Sequence, residues 1–245
     1  MIYFCSGAPR SGSTLLFKLT KVTLENMGFD QRTAAIATKL GHEFNFLGKL
    51  HKQRISEIDI ANQIRALKTH VPPTEYVEEL LKKNKAIVNI SVRDPRDILL
   101  SLLRIAKINR KKGVKPFSNI VDFNKALVVL TRRCNQTLLW ANLPNSIVCK
   151  YEQTMIDLES TIDKISLPLL EFEIAKNHVI NTGEILSGVN GERTNLIVGK
   201  AGEYKKQLSK QLQQQVLEKC RPYYEMFYPD SKVETKLSMF SFFSR

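Results

Sequence analysis

The chain of 245 residues is 43% hydrophobic and 25% charged, which supports a sizeable buried core and excludes the disordered and fibrous classes. Lys and Arg outnumber Asp and Glu by 37 to 24, a net charge of +13 that favours anionic partners without choosing among nucleotides, acidic glycans, nucleic acid and membrane head groups. No apolar run approaches the roughly 20 residues of a membrane span, and the opening Met1-Ile2-Tyr3-Phe4-Cys5 lacks the basic region and cleavable stretch of a secretory signal.

Four short apolar segments carry strand character: Ile2 to Ser6, Arg65 to His70, Ala86 to Arg93 and Ser146 to Tyr151. Helical patterns run between and after them. Thr14 to Asn26 follows the first and Thr74 to Lys83 the second. Pro95 to Lys107 follows the third, with Asp94 as N-cap and Pro95 at the first helical position. Asn124 to Trp140 reads as a long helix, Glu152 to Ile165 follows the last strand, and Gln207 to Tyr224 is a further helix near the C-terminus. Residues 28–64 read as helix with loops, suited to a lid, and residues 230–245 form a tail. There is no internal repeat or Gly/Ser linker, so residues 1–245 are expected to form one domain. The alternation implies βαβ units and an α/β fold, a central, mostly parallel sheet flanked by helices. The cysteines Cys5, Cys134, Cys149 and Cys220 have no CxxC spacing, so neither a disulfide framework nor a zinc site is indicated, and the reducing cytoplasm is the expected compartment.

Ligands of such sheets bind outside the carboxyl ends of the strands. The first strand runs into Ser6-Gly7-Ala8-Pro9-Arg10-Ser11-Gly12-Ser13-Thr14, the second ends at Lys68-Thr69-His70, the third at Arg93-Asp94 and the fourth at Lys150-Tyr151-Glu152. Gly7 to Thr14 has the G-x-x-x-x-G spacing of a phosphate loop between a strand and a helix, where backbone N–H groups and about half a unit of positive helix charge meet an anion. The lysine that a nucleoside triphosphatase needs is Ser13 here, and the cation sits at Arg10 inside the loop.

These residues resemble the PAPS-dependent sulfotransferases (PAPS, 3′-phosphoadenosine 5′-phosphosulfate). Gly7 to Leu16 is similar to their 5′-phosphosulfate loop, Val92 to Ser101 to their 3′-phosphate motif, and Leu67-Lys68-Thr69-His70-Val71-Pro72 to the segment with their catalytic Lys and His. Lys150-Tyr151-Glu152 and Gly199-Lys200-Ala201-Gly202-Glu203-Tyr204-Lys205 resemble two further elements, so five occur in the family's order. The resemblance implies a P-loop-like sulfotransferase fold and transfer of a sulfuryl group from PAPS to a hydroxyl or amine of a small-molecule, glycan or peptide acceptor. Adenosine 3′,5′-bisphosphate (PAP) is then the product, and no metal is needed. It implies Arg10, Ser11, Gly12, Ser13 and Thr14 at the phosphosulfate, Arg93 and Ser101 at the 3′-phosphate, Tyr151 at the adenine, and Gly199 and Lys200 in the C-terminal loop. His70 would be the general base, with Arg10 and Lys68 stabilising the sulfonate. Lys68 and His70 are two apart, so on a strand both side chains point to one face.

The pattern departs from the family at Ile197 and Val198, where Arg-Lys is common; either Lys200 or Arg193 would substitute. His42, His51 and His178 lack a comparable setting and read as structural. The basic run Arg104, Lys107, Arg110, Lys111, Lys112 and Lys115 reads as a solvated helix end or as a dock for an acidic acceptor. The alternative to sulfuryl transfer is a P-loop kinase or other nucleotide-binding protein. A nucleic-acid module is not expected, since no recognition motif or aromatic platform accompanies the charge. Oligomeric state is open.

Overall fold

A computed structural model describes residues 1–31, 46–49, 52–58, 64–171 and 200–231. Five strands form one sheet: β1 Ile2–Gly7, β2 Phe46–Leu47, β3 Arg65–Thr69, β4 Ala86–Val92 and β5 Ser146–Lys150. Every pairing is parallel and the order is β2-β3-β1-β4-β5. β1, β3 and β4 are buried throughout, which suits the mostly apolar runs of β1 and β4, whereas β3 buries Arg65, Lys68 and Thr69 beside Ala66 and Leu67. Successive residues of β1 feed opposite faces. Ile2 and Phe4 join a core with Leu67, Val88, Ile90 and Trp140, whereas Tyr3 and Cys5 join one with Leu15, Leu19, Ile87 and Ile165.

Ten helices are described. They are α1 Ser13–Asn26, α2 Lys52–Ile58, α3 Glu75–Lys82, α4 Pro95–Lys111, α5 Phe123–Ala141, α6 Tyr151–Ile156, α7 Leu158–Glu171, α8 Tyr204–Gln207, α9 Lys210–Lys219 and α10 Arg221–Phe227. Helices α1 and α7 cover one face of the sheet, and α3, α4, α5 and the C-terminal helices cover the other. The chain leaves β1 for β3 on one side and reaches β4 on the other, so the crevice beyond the carboxyl end of β1 lies at the point where the winding reverses.

The four expected strands are present to within one residue at their ends, and three differences are physical. Inside residues 28–64 a short edge strand, β2, pairs with β3 through Phe46–Lys68 and Leu47–Thr69, where only helix and loop were expected; α2 supplies the helix. The expected helix Glu152 to Ile165 is two, because Asp157 leaves helical geometry at φ −134° and its carboxylate accepts the Ser160 N–H. The expected helix Gln207 to Tyr224 is three. Ser209 caps α9 by accepting from Leu212 N, and Pro222 opens α10 after Cys220. The rest of residues 28–64, and the tail beyond Ser231, lie outside the described residues.

Candidate active site

The loop from β1 to α1 is a turn of left-handed residues. Gly7, Arg10 and Gly12 have φ of 147°, 75° and 93°. A Cβ on Gly7 would meet the Ser91 carbonyl oxygen at 2.6 Å, and one on Gly12 would overlap the Tyr151 ring. Both glycines are therefore required by closeness as well as by backbone conformation. Ser11 N donates to Ala8 O at 3.0 Å, and Ser91 Oγ donates to Ser11 O at 2.7 Å, tying the loop to β4. Helix α1 opens without a side-chain cap; its first backbone bond runs from Leu16 N to Gly12 O, so the amides before it face the crevice end. The Ser11 hydroxyl is buried without a hydrogen-bond partner among the described residues.

Cations converge on this cradle from three elements. Arg10 Nε donates to Ser101 Oγ at 2.9 Å, linking the loop to α4. Burial, then the neighbouring Arg93 and Arg104, push the Arg10 guanidinium below its ordinary pKa. Lys68 Nζ donates to Thr14 Oγ1 at 2.6 Å, which leaves the threonine's own proton available to another acceptor. Desolvation, aided by Arg10 and Lys18, lowers Lys68 to about 8. Arg93 stacks over Tyr151 with 4.4 Å to the ring centroid, donates to Lys200 O at 3.1 Å and lies 3.9 Å from Asp97.

His70 follows β3, and its Nδ1 lies 2.8 Å from Gly7 O. A carbonyl can only accept, so this contact places the proton on Nδ1 and leaves the Nε2 lone pair open. Burial, then Lys68, lowers the imidazole to about 4, with the Gly7 hydrogen bond acting the other way and Arg133 adding to the fall. The ring of Phe46 lies against it, 5.6 Å between centroids.

Of the site residues expected from sequence, Arg10, Ser11, Gly12, Ser13, Thr14, Lys68, His70, Arg93, Ser101 and Tyr151 share this one crevice. Lys200 reaches it through its main-chain oxygen. Tyr151 is largely buried between Gly12 and Arg93, and so forms the floor beneath the guanidinium. Gly199, Arg193, Ile197, Val198, His42, His51 and His178 lie outside the described residues.

Apart from the Asp94 cap, the other contacts that build the site carry no local mark in the sequence. Asp97 accepts from Gly202 N at 2.6 Å and Tyr204 N at 3.1 Å, fastening residues 200–204 to α4. Asp94 caps α4 by accepting from Arg96 N, and also accepts from Tyr224 OH at 2.8 Å. Glu152 accepts from Asp94 N at 3.0 Å and Tyr228 OH at 2.9 Å. A run of tyrosines near the C-terminus (Tyr223, Tyr224, Tyr228) was the available signal, and only the fold gives it a partner. Arg104, part of the basic run, is paired with Glu203 at 2.8 Å.

A sulfotransferase domain family matches residues 3–173 of the chain. Among solved structures, a mouse sulfotransferase, SULT7A1, complexed with PAP, superposes with a TM-score of 0.60 at 16% identity, covering 91% of this chain and 88% of that one. A retinol dehydratase in complex with androsterone and inactive cofactor PAP superposes with a TM-score of 0.58 at 12% identity, covering 96% of this chain and 82% of that one. A comparison with curated protein sequences found no match. Among the described residues no helix is long and apolar enough to cross a membrane.

Proposed function

The chain belongs to the sulfotransferase domain family, and from that premise we propose that it transfers a sulfuryl group from PAPS to a hydroxyl or amine acceptor, with His70 as general base. The observation that carries the reading is the His70 contact: Nδ1 is engaged by the carbonyl of the very glycine that opens the anion cradle, so Nε2 stands free beside it. The PAP bound in the two structural neighbours supports the choice of donor.

PAPS presents two anionic ends, and the crevice has donors of two kinds for them. The fit rests on the buried Ser11 hydroxyl without a partner among the described residues and on the uncapped start of α1. Ser11, Gly12, Ser13 and Thr14 would hold the phosphosulfate with Arg10 and Lys68; Arg93, Ser101, Gly199 and Lys200 would hold the 3′-phosphate, and Tyr151 would meet the adenine. When bound, PAPS supplies the activated sulfuryl group.

The residues of the chain do the rest. His70 takes the acceptor's proton at Nε2, and its neutral form is the resident one because the site is dry and already cationic. Lys68 and Arg10 neutralise charge on the sulfonate and on the leaving phosphate, in a setting where burial makes each interaction stronger than in water. Thr14 keeps Lys68 aimed into the cradle.

PAP should raise the melting temperature of the protein without magnesium, more than magnesium-ATP does. A melt that answers magnesium-ATP and ignores PAP would return the chain to the kinase reading. His70→Ala should keep the PAP response and lose transfer by about 10²–10⁴-fold in a radiolabelled-PAPS assay across phenol, alcohol, amine and glycan acceptors.

A further inference from the structure

Helix α5 grips the segment just beyond β3 with one face. Arg133 Nη1 donates to His70 O at 2.6 Å and to Gln136 Oε1 at 2.9 Å, and Trp140 Nε1 donates to Val71 O at 2.8 Å. These positions are three, four and seven apart, so they lie along one stripe of the helix. Two consecutive main-chain carbonyls at the proposed catalytic histidine are thus held by the same element, while the imidazole is held from the other side by Gly7.

The setting of Arg133 is not that of an ordinary stabilising ion pair. It has no carboxylate partner among the described residues, and its Nε is buried there without a hydrogen bond. Burial, together with Arg132, lowers its pKa. A half-buried cation facing a neutral carbonyl leaves a net positive charge at the imidazole's own residue.

Resting on the sulfotransferase reading, we propose that Arg133 is a positioning residue: by holding the His70 carbonyl, with Gln136 fixing the guanidinium, it aims the imidazole so that Nδ1 meets the Gly7 carbonyl, the contact that sets the tautomer. Its charge works in the same direction as that of Lys68. The charged and polar groups that face His70 are Lys68 on β3, Arg133 on α5 and the Gly7 carbonyl at the end of β1; the Phe46 ring of β2 is neutral. Both cations oppose protonation, and the carbonyl holds the proton that fixes the tautomer. Tryptophan at position 140 anchors the next residue, so loosening Arg133 frees the histidine without releasing the whole segment.

The test reads the imidazole directly and needs no acceptor. Nitrogen-15 NMR of histidine in the full chain, with His70 assigned by its loss in His70→Asn, gives both tautomer and midpoint. In Arg133→Gln the midpoint should rise by roughly half a unit or more, and the pattern of a single Nδ1-protonated tautomer should give way to a mixture. The PAP-induced melting shift should stay at the wild-type value, since the hydrogen bonds of Arg133 go to His70 O and Gln136 and to none of the residues proposed to hold PAPS. Arg133→Lys retains the charge but not the two-way fork; it should keep the midpoint and still mix the tautomers, and it replaces Arg133→Gln if that variant does not fold. An imidazole with the wild-type tautomer in whichever variant folds overturns the proposal. A wild-type protein indifferent to PAP would overturn the sulfotransferase reading instead, while the histidine titration would still be readable.

Discussion

His70 combines two features that pull in the same direction: a hydrogen bond that orients it and an environment that keeps it uncharged. An imidazole lowered to about 4 is neutral over the whole range in which an unperturbed histidine would be gaining its proton. Transfer rate should therefore stay flat from pH 7 to 5, where a base with the ordinary midpoint would lose most of its activity; a rate that halves near pH 6.5 would contradict the burial argument. The same shift is linked to stability. The folded state resists protonation and the unfolded state does not, so the contribution is complete above about 6.5 and is lost as pH falls from there toward 4. Urea midpoints at pH 7 and pH 5 should differ more in wild type than in His70→Asn. Lys68 sets the other limb. With its pKa lowered to about 8, it sheds its charge as pH rises through that value, and PAP affinity should fall between pH 7.5 and 9. Titration calorimetry should find this fall reduced in Lys68→Met.

At the scale of elements, the site is an alignment of strand ends and helix starts held by a few long-range fastenings. The loop before α1 must lie against the start of α6, because Gly12 leaves no room between itself and Tyr151. Gly12→Ala combines a left-handed φ of 93° with that overlap. It should lower the melting temperature and abolish the PAP response, and a variant that binds PAP normally would show the packing to be slack. Asp97 fastens residues 200–204 to α4 through two backbone amides. Asp97→Ala leaves both donors without their acceptor, at a cost of about 1–3 kcal/mol in urea unfolding. PAP should also bind more weakly, because Arg93 reaches the Lys200 carbonyl of that same segment. Much of this architecture is legible in the sequence because its determinants are local. Glycine spacing, the Asp94-Pro95 start and runs such as Ala86-Ile87-Val88 act within a few residues. Asp157 and Ser209 also act locally, yet their effect was hidden inside longer helical periodicity. The contacts of Tyr224 with Asp94, 130 residues away, and of Arg133 with His70, 63 away, have no local signature, since only the folded sheet brings their elements together.

At the scale of the whole molecule, the excess of positive charge and the buried cations of the crevice have different consequences. The net charge of +13 acts at a distance and through solvent, so it steers a polyanion toward the protein and is screened beyond a Debye length of about 10 Å at 0.1 M salt. Lys68 and Arg93 are largely buried and Arg10 is partly so; their contacts with a bound anion are screened far less. The two contributions should separate kinetically. Raising salt from 0.05 to 0.5 M should slow PAP association by an order of magnitude or more, while the dissociation rate changes little. Replacing the exposed Lys107, Lys111 and Lys112 by Gln should reproduce part of the slowing at low salt and leave dissociation alone, because these side chains point to solvent along the end of α4. Arg10→Gln should do the reverse, since it removes a guanidinium that bridges the loop to Ser101 inside the crevice. Stopped-flow measurements on the three proteins would distinguish the cases, and a salt effect carried mainly by dissociation would mean that the crevice is more open to solvent than its burial implies.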